Sequence, residues 1–184
     1  VMAAPVLVLV ALLALLVSLD GSRPFYVQER VGRGGRVYRM WKMRSMVPDA
    51  EAALARHLAA DEAARLEWDH HQKLRDDPRV TPLGRLLRRT SLDELPQLWN
   101  VVVGDMSLVG PRPMMPDQRP LYPGRAYFRL RPGITGPWQV SQRNASGFAD
   151  RARFDADYDR RLSLGTDLRL LLATLRVVLR GTGC

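Results

Sequence analysis

Residues 90–100, Thr90-Ser91-Leu92-Asp93-Glu94-Leu95-Pro96-Gln97-Leu98-Trp99-Asn100, hold the densest pattern in the chain. Ser91 followed three residues later by Glu94 has the form of a capping box, which predicts a helix that begins at Ser91. Asp93 then stands in the first turn, and Pro96 comes early enough to be tolerated. Two readings are open. In the first, Glu94 caps the helix and Asp93 complements its dipole. In the second, the pair does chemistry. A helix start offers free N–H groups to phosphate, and Arg85, Arg88 and Arg89 stand just before it. Two adjacent carboxylates beside arginines and a phosphate suit a divalent cation, typically Mg²⁺ with oxygen ligands and retained waters. A carboxylate kept charged there can attack phosphorus while cation and arginines neutralise the developing charge.

Upstream, residues 25–44 predict a hairpin. Phe25-Tyr26-Val27 leads in, Gly32-Arg33-Gly34-Gly35 supplies the turn, and residues 37–44 are rich in strand formers. The glycines also fit a phosphate-cradling loop, but GxGG alone is a weak signal. Pro48 to about Asp76 reads as one long, charged, alanine-rich helix. His57, His70 and His71 fall in it or at its end, and with no third ligand evident on the same face they read as solvated. Downstream, Pro116 to Arg131 reads as irregular or interfacial, and residues 131–136 as a loop punctuated by Pro and Gly. Asp167 to Arg180 predicts an amphipathic helix with Leu168, Leu171, Leu172, Leu175, Val178 and Leu179 on one side. Such a helix either lies on an anionic membrane surface or packs on the core, and both stay open.

Val1 to Val17 carry no charged or polar side chain, and Ser18, Leu19 and Asp20 close the run. At about 1.5 Å per residue it is slightly short of a hydrocarbon core of about 30 Å, and Pro5 interrupts its start. Apolarity on every face argues for lipid over a buried soluble helix. The lack of a basic n-region and of a clear cleavage site argues against a signal peptide. Arg23, Arg30, Arg33, Arg36 and Arg39 follow closely, which places the C-terminal side in the cytoplasm. A start at Val1 instead of Met fits a misread start codon or an upstream segment cut away.

The length of 184 residues suits one domain. An apolar content of 46% argues against disorder, and a single cysteine, Cys184, excludes a disulfide scaffold. A net charge of +9 points to a polyanionic partner: nucleic acid, nucleotide, phosphate or anionic lipid. No zinc spacing, RNP motif or helix-turn-helix signal supports nucleic acid. Lysine occurs only at Lys42 and Lys73.

Several blocks, in order, resemble the bacterial sugar transferases, the monotopic phosphoglycosyl transferases. They are Phe25 to Gly32 (FYVQERVG), Trp41 to Met46 (WKMRSM), Arg79 to Asn100, Gly104 to Pro113 (GDMSLVGPRP) and Arg131 to Arg143 (RPGITGPWQVSQR). The resemblance implies transfer of a phosphosugar from a UDP-sugar to undecaprenyl phosphate, with release of UMP. It implies a covalent phosphosugar on Asp93, with Glu94 as its partner in the dyad and both holding Mg²⁺. Lys42 and Arg44 correspond to the family's Lys-x-Arg motif, and Arg88 and Arg112 to its other basic positions; all four are candidates for holding phosphates or uridine diphosphate. The middle helix and the ending through Val178 look like the exopolysaccharide-initiating branch, which moves glucose-1-phosphate or galactose-1-phosphate.

Two departures stand out. Gln142 replaces a glycine usual in the family. The family's re-entrant membrane helix is also longer and bends near a proline, so with Pro5 at that bend its first half is expected to be missing. The expected fold is therefore α+β: a membrane-inserted, re-entrant-type helix over residues 1–19, truncated at its start, and a small mixed cytoplasmic catalytic domain over residues 20–184 with a β-hairpin and interfacial helices. The expected place is the cytoplasmic face of a bacterial inner membrane, against anionic inner-leaflet lipid. The competing expectation is an inactive membrane-associated binding or scaffolding protein.

Overall fold

Strands β1 (Phe25–Val31) and β2 (Val37–Met43) form the antiparallel hairpin in a computed structural model that describes residues 3–71, 74–141 and 147–179. Lys73, Gln142, Arg143, Arg180, Cys184 and the side chains of His70 and His71 lie outside the described residues. The turn works because Gly34 and Gly35 take φ of 71° and 81°, a left-handed region that side chains resist. Register pairs Tyr26 with Lys42, Gln28 with Met40 and Arg30 with Tyr38. Alternation therefore puts all six on one face of the ribbon. Val31 and Met43 occupy the other face, and both are buried.

The fold is α+β, as expected. Helix α1 (Ala3–Val17) presses Leu13 and Val17 onto Met43 and Leu87, while Leu7, Val8, Leu12, Leu15 and Leu16 stay exposed. Among the described residues no helix is long and apolar enough to cross a membrane. The middle segment is two helices, α2 (Ala50–Ala60) and α3 (Glu62–His71), where one was expected. The break is at Asp61, which is extended and accepts the Ala64 N–H at 3.0 Å, capping the second helix.

The expected helix start at Ser91 is corrected. Helix α4 (Pro82–Thr90) already occupies the preceding residues, begun by Thr81, whose hydroxyl accepts from the Gly84 N–H at 2.9 Å, with Pro82 next. Ser91 ends that helix in a left-handed conformation, φ 58°, and its side chain caps nothing. A capping box needs an extended first residue, so the pattern fails here. Leu92–Glu94 is a single 3-10 turn, too short to present a helix terminus to phosphate, and helix α5 (Gln97–Val102) follows. Helix α4 lies close on the hairpin's exit: a Cβ at Gly84 would stand 1.9 Å from the Ser45 carbonyl oxygen.

Asn100, buried in α5, ties this region to the hairpin. Its amide donates to the Arg39 carbonyl at 2.8 Å and accepts from the Trp41 N–H at 3.1 Å, as a neighbouring strand would. Strands β3 (Ser107–Val109) and β4 (Gly133–Thr135) pair in parallel, where residues 131–136 were expected to be a loop. The segment read as irregular contains a 3-10 stretch, Pro116–Leu121, and the short helix α6 (Ala126–Arg129). Helix α7 (Pro137–Ser141) and helix α8 (Arg151–Arg160) follow. Helix α9 (Leu164–Leu179) begins earlier than expected; Leu170 and Leu171 pack toward Val109, Leu130 and Tyr158, whereas Leu168, Leu172 and Leu175 are exposed. One helix thus packs on the core and still shows an apolar face.

Candidate active site

The polar face of the hairpin is the floor of a cleft of about 170 Å³. Arg30, Met40 and Lys42 come from that face, Glu94 and Gln97 from the turn and helix above it, and Arg112, Gln139 and Arg151 from later segments. Lys42 Nζ donates to Glu94 Oε1 at 2.9 Å and lies 3.9 Å from Asp93 Oδ2. The 3-10 turn thus delivers both carboxylates to one ammonium. Asp93 is buried, 8% exposed, and does not itself line the cleft. Desolvation pushes its carboxyl up to about 6; Lys42 opposes that shift and Glu94 adds to it.

Of the residues singled out from the sequence, Lys42, Glu94 and Arg112 come together at the cleft, with Asp93 behind them. Arg88 reaches Asp93 only electrostatically, and its Nε donates to Ser45 Oγ at 2.8 Å. Arg44 is engaged elsewhere. Its guanidinium donates to Asp20 at 2.6 and 2.7 Å and to the carbonyls of Val17, Arg23 and Met46. Those contacts fasten the end of α1 to the end of β2.

Two arginines were not singled out for the site, Arg30 and Arg151. Burial lowers the Arg30 guanidinium, with Arg112 adding to the shift. Arg151 falls to about 10, first by burial and then by the neighbouring Arg112 and Arg30, with Asp155 opposing. Arg151 stands over the Trp138 ring at 4.3 Å and Arg112 at 5.5 Å. The Nε atoms of Arg30 and Arg151 are buried without a hydrogen-bond partner among the described residues. Three mutually repelling cations facing one cleft call for a multivalent anion. For Arg30 the sequence offers net charge, the FYVQERVG block and a place among the arginines after the apolar run, none of which points to this cleft; Arg151 has no signal beyond the charge.

The dyad fits Mg²⁺ by donor chemistry. Asp93 and Glu94 offer carboxylate oxygens, and no cluster of three metal-ligating side chains exists among the described residues. Such a pair would hold a hard cation that draws its other ligands from water and phosphate oxygens.

With this geometry the chain belongs to the bacterial sugar transferase family, whose model matches residues 1–181. It is 48% identical over 174 residues to the UDP-galactose-lipid carrier transferase of Erwinia amylovora, covering 94% of this chain and 36% of that protein. Against the undecaprenyl-phosphate galactose phosphotransferase of Salmonella typhimurium it is 46% identical over 169 residues, with 91% and 36% covered. Against the exopolysaccharide production protein ExoY of Rhizobium meliloti it is 41% identical over 174 residues, with 94% and 77% covered. The chain thus spans about a third of the first two relatives and about three quarters of the third.

Proposed function

We propose that the protein transfers a hexose-1-phosphate from a UDP-hexose to undecaprenyl phosphate, releasing UMP, at the cytoplasmic face of a bacterial inner membrane, as the first membrane step of exopolysaccharide or glycoconjugate synthesis. The observation that carries this reading is the meeting of Lys42, Asp93 and Glu94 beside a cleft that also takes Arg30, Arg112 and Arg151. The relatives' names favour galactose as the sugar and a lipid carrier as acceptor.

In this account the arginines hold the diphosphate and Lys42 turns from Glu94 to the sugar-bearing phosphate, which uncovers Asp93. An Asp93 oxygen forms a bond to that phosphorus as the bond to the UMP oxygen breaks, and UMP leaves with the electron pair. An undecaprenyl phosphate oxygen then attacks the same phosphorus and releases the Asp93 carboxylate. Asp93 and Glu94 would hold Mg²⁺, which neutralises phosphate charge when bound. The exposed leucines of α1 and α9 support placement at a lipid surface, with α1 embedded and Arg23, Arg33 and Arg36 facing anionic headgroups. The reading is tested by measuring UMP release from UDP-galactose in vesicles with and without undecaprenyl phosphate and Mg²⁺. Sustained turnover that needs both is expected, with no more than one UMP released per protein when undecaprenyl phosphate is left out; sustained release that needs neither refutes the reading.

A further inference from the structure

Two uncharged amides face a cleft otherwise dominated by charge. Gln97 is 2% exposed and Gln139 4% exposed, and both line it. Buried side-chain polar atoms are nearly always hydrogen-bonded, yet Oε1 of Gln139 is buried with no partner among the described residues. Its Nε2 donates, at a long 3.4 Å, to the Ile134 carbonyl, which orients the amide with the oxygen left over. The oxygen has room because residue 136 is glycine: a Cβ there would stand 3.1 Å from Oε1 and 1.9 Å from the Gly110 carbonyl. The β4–α7 corner therefore positions an acceptor and leaves it unsatisfied.

An unpartnered acceptor calls for an O–H or N–H donor. Phosphate oxygens at neutral pH are acceptors, so the diphosphate does not supply one. The hydroxyls of a sugar do. Gln139 lines the same cleft as Lys42 and Glu94, where, on the reading above, the transferred phosphate and its attached hexose lie.

We propose that Gln139 Oε1 accepts a hydrogen bond from a hydroxyl of the donor's hexose and so helps select which sugar is transferred. The assignment rests on the UDP-hexose reading above. Leaving this acceptor unpaired in the bound complex lowers kcat/KM by about 10- to 100-fold.

The test measures UMP release by the wild type, Gln139→Met and Gln139→Glu with UDP-galactose, UDP-glucose and monodeoxyfluoro analogues, each lacking one hydroxyl hydrogen. Inhibition by UDP is measured alongside. The wild type is expected to lose about 10- to 100-fold in kcat/KM with one analogue. Gln139→Met, nearly isosteric but without the acceptor, is expected to show the loss with the parent sugar and no further loss with that analogue. Gln139→Glu keeps an acceptor and should keep the analogue penalty, which covers the case in which the Met variant fails to fold. UDP inhibition should be unchanged in Gln139→Met; Gln139→Glu adds a negative charge beside the arginines, so only its analogue penalty is compared. The proposal is overturned if no analogue is penalised, if the penalty survives in Gln139→Met or vanishes in Gln139→Glu, or if UDP inhibition weakens in step in Gln139→Met, which would move the contact to the nucleotide. No UMP release from any UDP-hexose by the wild type is a different result: it defeats the donor reading, and this assignment with it.

Discussion

Lys42 and Glu94, separated by 52 positions in the chain, meet at 2.9 Å between Nζ and Oε1. The contact joins the hairpin to the turn that carries both carboxylates, so one substitution probes electrostatics with little loss of packing. Lys42→Met is expected to lower UMP release by at least about 100-fold, the scale seen when a charge-stabilising group is removed from a reacting centre. Melting temperature should change little, because the pair is partly exposed. Initial rates and a thermal melt on the same preparation check both halves.

Arg44 separates two roles that its motif position alone does not. Its contacts to Asp20 and to three carbonyls make it a fastener between α1 and β2. Arg44→Ala should lower the melting temperature by about 5 °C, from about 2 kcal/mol of lost charged hydrogen bonds, with KM for the donor unchanged. A raised KM with unchanged melting would return Arg44 to the phosphates.

Ser91 tests the local backbone. A non-glycine residue at φ 58° is strained, and no side-chain cap compensates for it. Ser91→Gly should therefore stabilise the protein by about 0.5–1 kcal/mol in urea unfolding. A capping serine would give the opposite sign.

Asp155 carries a pH signature. Burial raises its carboxyl to about 6, against the opposing hydrogen bond from Tyr122 and the charge of Arg151. The folded state therefore holds its proton between pH 3.8 and about 6, where the unfolded state has lost it. That contribution is fully present below the unfolded value and is lost as pH rises through the folded one. Asp155→Asn should flatten the fall in stability across that window by roughly 2–3 kcal/mol relative to wild type. Paired unfolding curves at acid and neutral pH measure the difference.

The hairpin was legible because its signals are local: strand formers on each side of a glycine turn. The dyad was legible as a pair, but its setting was misread. Ser91 and Glu94 imitate a capping box, whereas the operative start signal is Thr81-Pro82, nine residues or more upstream. Strands β3 and β4 have three residues each, too few for alternation to show, and they exist through pairing across the chain. The α2–α3 break rests on Asp61 alone, in a run otherwise rich in helix formers. Arg151 and Gln139 were invisible for a different reason. Arg151 is a single polar residue in an unpatterned stretch, and Gln139 stands inside the RPGITGPWQVSQR block with nothing to mark it from its neighbours; only tertiary packing turns them into the cleft.

Covalent attachment of a phosphosugar to Asp93 adds mass to the protein, which intact-protein mass spectrometry reads directly. The protein is incubated with UDP-galactose and Mg²⁺ without undecaprenyl phosphate, then quenched. The account predicts a hexose-phosphate adduct on Asp93 that disappears on adding undecaprenyl phosphate and is absent in Asp93→Asn. UMP release at the wild-type rate from Asp93→Asn, or turnover with no adduct under any quench, would contradict it.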